Sequence, residues 1–544
     1  MLSEAGLREF KAEIEEAMQL WSVQGCMVVY VQGDAQNNLA LGRRDMTNPV
    51  TPKTLFALAS SSKLFTVLCL LRALSSRNLS VKTPIKSFFP QFKLYDKLAE
   101  AQCTVEDILC HRTGLPGYDH LWNEGYHLSE LPERLAVLRP TAGFREVHQY
   151  NSLLYDLGAL LVEELIGGGK TYTQYVKEQF FEPLGICSAT FNHVHNEEGE
   201  DDLEVVKGEA SREFEAEYAS GFWKRVNVDG TEDRCRMLSF GLGKMDGGAG
   251  TGKLWMNGED AARWLKALPS IPEYAEAVTP RTIVGSAGGL EFADHTVLYG
   301  LGQRINTHRG VLINEHSGEV SGFLSRFSRL PAHDAGFAIL TNSDPGGKYL
   351  RAFVKCRLVE IFGGLPRMNW LERIETSRQA ANAATRQWLS PTTPQPLLND
   401  IRNTNAPSGD PLIGRWQSKG FDHWTIRPSD LVSALPTLGS LPFIASLYGQ
   451  VRYLFSFVAD GPCQSPKSLS KQRDPSCNKK AEVGRYKACM EWQSHDFGHE
   501  GVMYGYPFDV VLSDEGRKIE VFGLTGVGEG LREEDWGVVF QRVF

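Results

Sequence analysis

Ser60 and Lys63 stand three residues apart at the head of a long apolar stretch, TLFALASSSKLFTVLCLLRAL, residues 54 to 74. On a helix that spacing puts both side chains on one face, a turn apart, so that an amine can hydrogen-bond a hydroxyl. A serine hydroxyl is a weak nucleophile at neutral pH, and a lysine activates it only where burial and neighbours disfavour the ammonium form. The apolar residues that follow Lys63 are expected to supply the burial. The spacing alone is weak, because Ser468 and Lys471 repeat it. That copy lies in CQSPKSLSKQRD, a polar basic stretch with no apolar helix behind it, and is assigned no chemistry.

The first copy has company, in order along the chain. TPKTLFALASSSKLFT (51–66) is followed by DILCHRTGLPGYD (107–119), YNSLLYDLGALLVEELIGG (150–168), FEPLGICSATF (181–191) and GGAGTGKLWMNGEDAARWL (247–265). YGLGQ (299–303) and NEHSGEVSGF (314–323) complete the series. Together these resemble the serine β-lactamase and penicillin-binding-protein-like family, in its class C-like branch with esterases, D-aminopeptidases and acyltransferases.

The resemblance implies roles that these residue types can fill. Ser60 would attack a carbonyl and form an acyl-enzyme, and Lys63 would help deprotonate it. Tyr150, at the tyrosine of a Y-x-N motif, would share the base role and pass the proton to the leaving group. Which of Lys63 and Tyr150 is the base stays open. His316 would line the opposite wall on a strand, and Gly318 would leave room for substrate along the strand edge. The backbone N–H groups of Ser60 and Glu319 would form the oxyanion hole, where one lost donor costs ~3 kcal/mol.

The chain departs from the family pattern in several places. Thr113 replaces a usual serine. The second motif reads Tyr150-Asn151-Ser152, so the substrate-contacting amide is shortened unless Asn151 replaces it. His316 stands where lactamases favour lysine, and a neutral imidazole is a poorer carboxylate anchor. Glu319 adds negative charge, although strand alternation turns its side chain away from His316. These changes argue against lactamase activity and leave serine acyl chemistry intact.

The elements that must position these groups are legible from periodicity. Residues 1–21 read as an amphipathic helix, and GCMVVYVQGD with NLALGRRD as two antiparallel strands. Leu55 to Leu74 is apolar on nearly all sides and therefore a buried helix. Helical patterns recur at 104–111, 153–166, 258–268 and about 348–362. Strand-like runs lie at 310–316, 323–330 and 336–342. Residues 372–389 form a polar helix, 390–411 a Pro- and Asn-rich linker, and the runs after 412 an all-β barrel or sandwich. Carboxylate-dense residues 195–217 read as a solvated insertion, or as a mobile cover over a pocket.

Whole-chain properties narrow the function classes. The 544 residues exceed what one core serves, with 42% hydrophobic and 23% charged residues typical of a globular protein. A net charge of −9 gives no footprint for nucleic acid. No apolar run is long enough to span a membrane, and the acidic start lacks the character of a signal peptide. Ten cysteines without a C-x-x-C pair read as free thiols, and the setting as cytoplasmic.

Three decoys are set aside. GGAGTGKL (247–254) matches G-x-x-x-x-G-K but ends in Leu254, without the magnesium-binding hydroxyl of a P-loop. HDFGHE (495–500) has metal-compatible spacing only on a helix, and its glycine and β-rich surroundings argue for a turn. His111 falls in what the resemblance makes a structural turn, and no G-x-S-x-G elbow supports an α/β-hydrolase triad.

The expected fold is α+β: a β-lactamase/transpeptidase-like domain (1–370) with an antiparallel sheet flanked by helices and a helical subdomain, a helix and linker (371–411), and a C-terminal lipocalin-like β-barrel (412–544). The expected activity is hydrolysis of a small-molecule ester or amide through a Ser60 acyl-enzyme, with carboxylesterase favoured. Acyl transfer to an alcohol or amine, then D-aminopeptidase, β-lactamase and an inactive binding protein, are the alternatives. No cofactor, metal or nucleic acid is required.

Overall fold

The computed structural model describes residues 2–118, 128–191, 217–226, 232–237, 247–286, 292, 294, 296–320 and 322–389, together with eight strands between 414 and 543. By contact the chain separates into two units, one of residues 1–115, 124–224 and 234–385, the other of 116–123, 225–233 and 386–544.

The first unit is built on an eight-stranded sheet. The described strands up to Asp344 are β1 (Gly25–Gln32), β2 (Ala35–Gly42), β3 (Phe56–Ala57), β4 (Gly221–Val226), β5 (Glu232–Met237), β6 (Trp255–Met256), β7 (Thr282–Ser286), β8 (Thr296–Tyr299), β9 (Arg304–His308), β10 (Val311–Val320), β11 (Phe323–Leu330), β12 (Ala335–Thr341) and β13 (Ser343–Asp344). The large sheet runs β2-β1-β12-β11-β10-β9-β8-β7, β3 pairs with β6, and β13-β4-β5 form a small third sheet. Every pairing in the large sheet is antiparallel. The β1–β2 hairpin registers Gly25 with Gly42 and turns at Gly33, whose φ of +54° suits a glycine.

β1 is buried on both faces, which is why GCMVVYVQ reads as an unbroken apolar run. Cys26, Val28 and Tyr30 join the core formed with helices Glu4–Leu20 and Gly346–Gly363. Helix Gly258–Ala267 lies close to Met27, so a Cβ on Gly258 would stand 2.8 Å from the Met27 sulfur. The opening helix buries Phe10, Ile14, Ala17 and Met18, a stripe at helical spacing. The core continues into Trp370 and Ile374, so the polar helix Trp370–Leu389 begins inside the first unit.

Between β10, β11 and helix Gly346–Gly363 lies a buried ionic group. Glu315 pairs with Lys355 at 2.6 Å and Arg326 at 2.8 Å, and accepts from Ser328 Oγ at 2.9 Å and Asn306 Nδ2 at 3.0 Å. Each buried charge thus has an opposite charge, as a low-dielectric interior requires.

The long apolar helix differs from its expected span. It begins only at Lys63 and ends at Ser76, because Phe56 and Ala57 are drawn into pairing with Met256 and Trp255 and the Leu58 N–H bonds to the Leu254 carbonyl. A 3-10 turn, Ala59–Ser62, joins strand to helix. The helix expected over 153–166 spans Leu153–Ile166.

The second unit contains β14 (Gly414–Ser418), β15 (Phe421–Pro428), β16 (Phe443–Leu447), β17 (Val451–Phe457), β18 (Gly484–Trp492), β19 (Phe508–Ser513), β20 (Lys518–Phe522) and β21 (Gly537–Val543). They pair antiparallel in chain order, and β14 also pairs with β21. The linker 390–411, most of the acidic run 195–217, Ser468 with Lys471, and residues 495–500 lie outside the described residues. Glu217, the last acid of that run, is described, and it is held by Arg44 at 2.9 Å and Thr51 Oγ1 at 2.6 Å.

Candidate active site

The three serines of ASSSK have separate duties. Ser61 Oγ donates to the His316 carbonyl at 3.1 Å and shares a 2.8 Å bond with Ser325 Oγ, so it ties the turn to β10 and β11. Ser62 Oγ donates back to the Ala59 carbonyl at 2.9 Å. Ser60 Oγ meets Lys63 Nζ at 3.0 Å. Ala59, immediately before it, has φ +46°, a conformation costly for a side-chain-bearing residue and one that clusters at functional sites. The strand-to-helix turn thereby holds Ser60 at the helix mouth.

Lys63 is fully buried. Besides Ser60, its Nζ contacts Ser152 Oγ at 3.1 Å, the Thr251 carbonyl at 3.1 Å and Thr251 Oγ1 at 2.5 Å. These four partners are uncharged. Three are hydroxyls, which can accept from an ammonium or donate to a neutral amine. Lys63 Nζ also lies 5.1 Å from the ring centroid of Tyr150 and 5.3 Å from that of Tyr155.

Ser152 comes from the segment entering helix Leu153–Ile166. Asn151 is buried beside it, but its Oδ1 accepts the Leu154 N–H at 3.2 Å and its N–H donates to His111 Nδ1 at 3.1 Å. The side-chain oxygen of Asn151 thus serves the helix start, and the short Ser152 hydroxyl meets Lys63. Tyr150 is half-buried, its ring 4.3 Å from that of His111 and 6.1 Å from that of His316. His111 is fully buried, with its pKa held well below the ordinary imidazole value, first by burial and then by His148 and Lys63. It backs Tyr150 as a neutral ring.

Thr251 was not singled out from the sequence. The turn that presents it is docked by Gly248 N–H on both Asp156 carboxylate oxygens at 3.0 Å, and by Thr66 Oγ1 on the Gly250 carbonyl at 2.5 Å. A Cβ at Gly250 would stand 2.3 Å from the Tyr155 carbonyl oxygen, so glycine is needed there. The GGAGTG stretch weighed as a P-loop therefore brings a hydroxyl to Lys63.

β10 forms the facing wall. His316 is buried, its Nδ1 2.7 Å from the Ser317 carbonyl and its Nε2 2.9 Å from Tyr299 Oη. A carbonyl only accepts, so Nδ1 carries the proton and Nε2 accepts from the tyrosine. Burial, then Lys63 and Arg304, push the His316 pKa well below the usual value. The ring is neutral. At Gly318 a Cβ would lie 2.0 Å from the Leu58 carbonyl oxygen and 3.0 Å from Ser60 N, so the strand backbone runs against the Ser60 turn. Glu319 points elsewhere: its carboxylate meets Arg351 at 2.6 Å and Lys348 at 3.3 Å. Burial raises its pKa, but Arg351 and Lys348 outweigh that and hold it below the ordinary carboxylate value.

A family model for Beta-lactamase matches residues 10–353, most of the first unit and every site residue named in this subsection. The chain belongs to the Beta-lactamase family. An unguisins hydrolase of Aspergillus campestris is 25% identical over 415 residues, 72% of each chain. Among solved structures, an octameric penicillin-binding protein homologue from Pyrococcus abyssi superposes with TM-score 0.52 at 17% identity, over 98% of this chain and 100% of the other. The D-amino acid amidase of Ochrobactrum anthropi, complexed with D-phenylalanine, gives 0.52 at 18% identity over 65% and 98%. At those identities the structural likeness carries the fold alone, a β-lactamase/transpeptidase-like antiparallel sheet with helices.

As a Beta-lactamase-family chain with hydrolases among its relatives, the protein is a serine hydrolase. Among the described residues no group of three or more His, Cys, Asp or Glu is placed to hold a metal, and no helix is long and apolar enough to cross a membrane.

Proposed function

We propose that this Beta-lactamase-family enzyme hydrolyses an ester or amide of a small molecule through an acyl-enzyme on Ser60, with uncharged esters its best substrates. The observation that carries the reading is the 3.0 Å contact between Ser60 Oγ and the fully buried Lys63 Nζ, inside a nest of neutral oxygens. Ser60 Oγ attacks the carbonyl, and its proton passes to Lys63 or Tyr150. The oxyanion sits against the N–H groups of Ser60 and Glu319, on the two backbones that meet at Gly318. Tyr150 returns the proton to the leaving group, and water then attacks the acyl-enzyme by the reverse route.

The neutral His316 offers no cation to a substrate carboxylate, which favours uncharged acyl groups over β-lactams and peptide termini. Amides stay in the substrate class because an acyl-enzyme on serine forms from an ester or an amide alike. A lipocalin-like barrel for the C-terminal unit is supported by eight strands paired in chain order, first with last.

Turnover of p-nitrophenyl acetate, p-nitrophenyl succinate and a D-amino acid p-nitroanilide, with and without added methanol, tests the reading. The neutral ester should turn over fastest and yield mainly free acid. Preference for the succinate would overturn the substrate class, and methyl ester as the main product would assign acyl transfer.

A further inference from the structure

The Gly318–Glu319 peptide is gripped by a side chain of helix Gly346–Gly363. Arg351, on helix Gly346–Gly363, is buried at 6% exposure. Its Nη1 donates to the Gly318 carbonyl at 3.0 Å and to the Ser325 carbonyl at 3.1 Å, and its Nη2 donates to Glu319 Oε1 at 2.6 Å. Gly318 and Ser325 face each other across β10 and β11, so one guanidinium nitrogen clamps both strands. Lys348, one helical turn earlier, holds the second Glu319 oxygen at 3.3 Å.

The Gly318 carbonyl and the Glu319 N–H belong to one planar peptide and point in opposite directions. β9 pairs with β10 only as far as Glu315, so from His316 onward that edge of β10 has no β9 partner among the described residues. Fixing the carbonyl toward β11 turns the Glu319 N–H toward the open edge, and Ser60 N lies 3.0 Å from where a Cβ on Gly318 would stand. A charge-assisted bond to the carbonyl is stronger than a neutral one, and chains of such bonds polarise one another. The N–H across the same peptide becomes a better donor to developing negative charge.

We propose that Arg351 is a positioning residue for oxyanion stabilisation, aiming and polarising the Glu319 N–H through the Gly318 carbonyl. The proposal rests on the Ser60 acyl-enzyme reading and extends it to a side chain that touches neither substrate nor nucleophile. A purely structural arginine would set stability. A positioning arginine sets the rate of the step in which the oxyanion forms, with little effect on the preceding encounter.

The test uses the full chain and one probe, an alkyl fluorophosphonate, whose reaction with serine also places negative charge on an oxygen in the hole. Rates of labelling against probe concentration give kinact and KI for wild type, Arg351→Met, Arg351→Lys and Lys348→Met. Thermal melting monitors the fold. Arg351→Met should lower kinact by about tenfold or more, since one oxyanion donor is commonly worth 10²–10³, with KI within about twofold. Arg351→Lys keeps the charge without the fork, and should recover part of the loss. Lys348→Met removes a charge from the same cluster without touching Gly318, and should stay within about twofold of wild type.

A folded Arg351→Met with wild-type kinact overturns the proposal, as does a loss in Lys348→Met equal to that in Arg351→Met. If Arg351→Met does not fold, Arg351→Lys decides, and a wild-type kinact there overturns it. Wild type that takes no label at Ser60 overturns the parent reading as well, a result distinct from a labelled wild type with indifferent Arg351 variants.

Discussion

Lys63 is buried without a carboxylate among its four hydrogen-bond partners, and the proposed reaction assigns it the activation of Ser60. Lys63→Met is expected to lower kcat on p-nitrophenyl acetate by roughly 10³ or more with KM little changed, the pattern for an interaction made mainly in the transition state. Thr251→Val, which removes the 2.5 Å hydroxyl contact, should cost about tenfold on the same assay. The two residues were unequally legible. Ser60 and Lys63 declare themselves by a spacing that any helical turn brings together. Thr251 is 188 residues from Lys63 in the chain, and its contribution depends on a glycine turn docked on Asp156, which no local pattern encodes. Ser152 for asparagine reads as a loss from sequence, yet its hydroxyl reaches the lysine while Asn151 is committed to its helix.

At the scale of elements, the site is where a strand, a turn and a helix are forced to meet. Gly318 is the contact point: a methyl group there would occupy the place of the Leu58 carbonyl oxygen. Gly318→Ala should therefore push β10 away from the Ser60 turn, reduce fluorophosphonate labelling by at least about a hundredfold and lower Tm. Labelling at the wild-type rate would show that the close approach is not needed. Strands β10, β11 and β12 were legible because their apolar runs are bounded by turn residues. The start of the nucleophile helix was not. Periodicity carries the helix back to Leu55, whereas pairing with β6 claims Phe56 and Ala57, and tertiary hydrogen bonds outweigh local propensity. Arg351 was equally hidden, because a charged residue in a helix pattern reads as a solvated face until the helix is laid on the sheet.

Across the whole molecule, buried charge couples stability to pH. Asp344, on β13, has its pKa raised from 3.8 to about 6, first by burial and then by Glu319, against the opposing pull of Lys348 and Arg351. The folded state thus keeps a proton that the unfolded chain has released, so this group's contribution falls as pH rises from about 4 to about 6. Urea unfolding should find Asp344→Asn more stable relative to wild type at pH 7 than at pH 4, and an equal difference at both would contradict the assignment. The Pro- and Asn-rich composition after 390 is the sequence signal for a linker, and by contact residues 386–544 fall in the second unit. Trp370 and Ile374 anchor an otherwise polar helix in the first core, a contact that the polar composition of 372–389 does not signal.

The central claim is that Ser60 is an activated nucleophile, and intact mass after fluorophosphonate treatment tests it most directly, with wild type beside Ser60→Ala and Ser468→Ala. A single adduct on wild type and Ser468→Ala, absent from Ser60→Ala, is the expected result. An unlabelled wild type, or an adduct that persists in Ser60→Ala, would contradict the account.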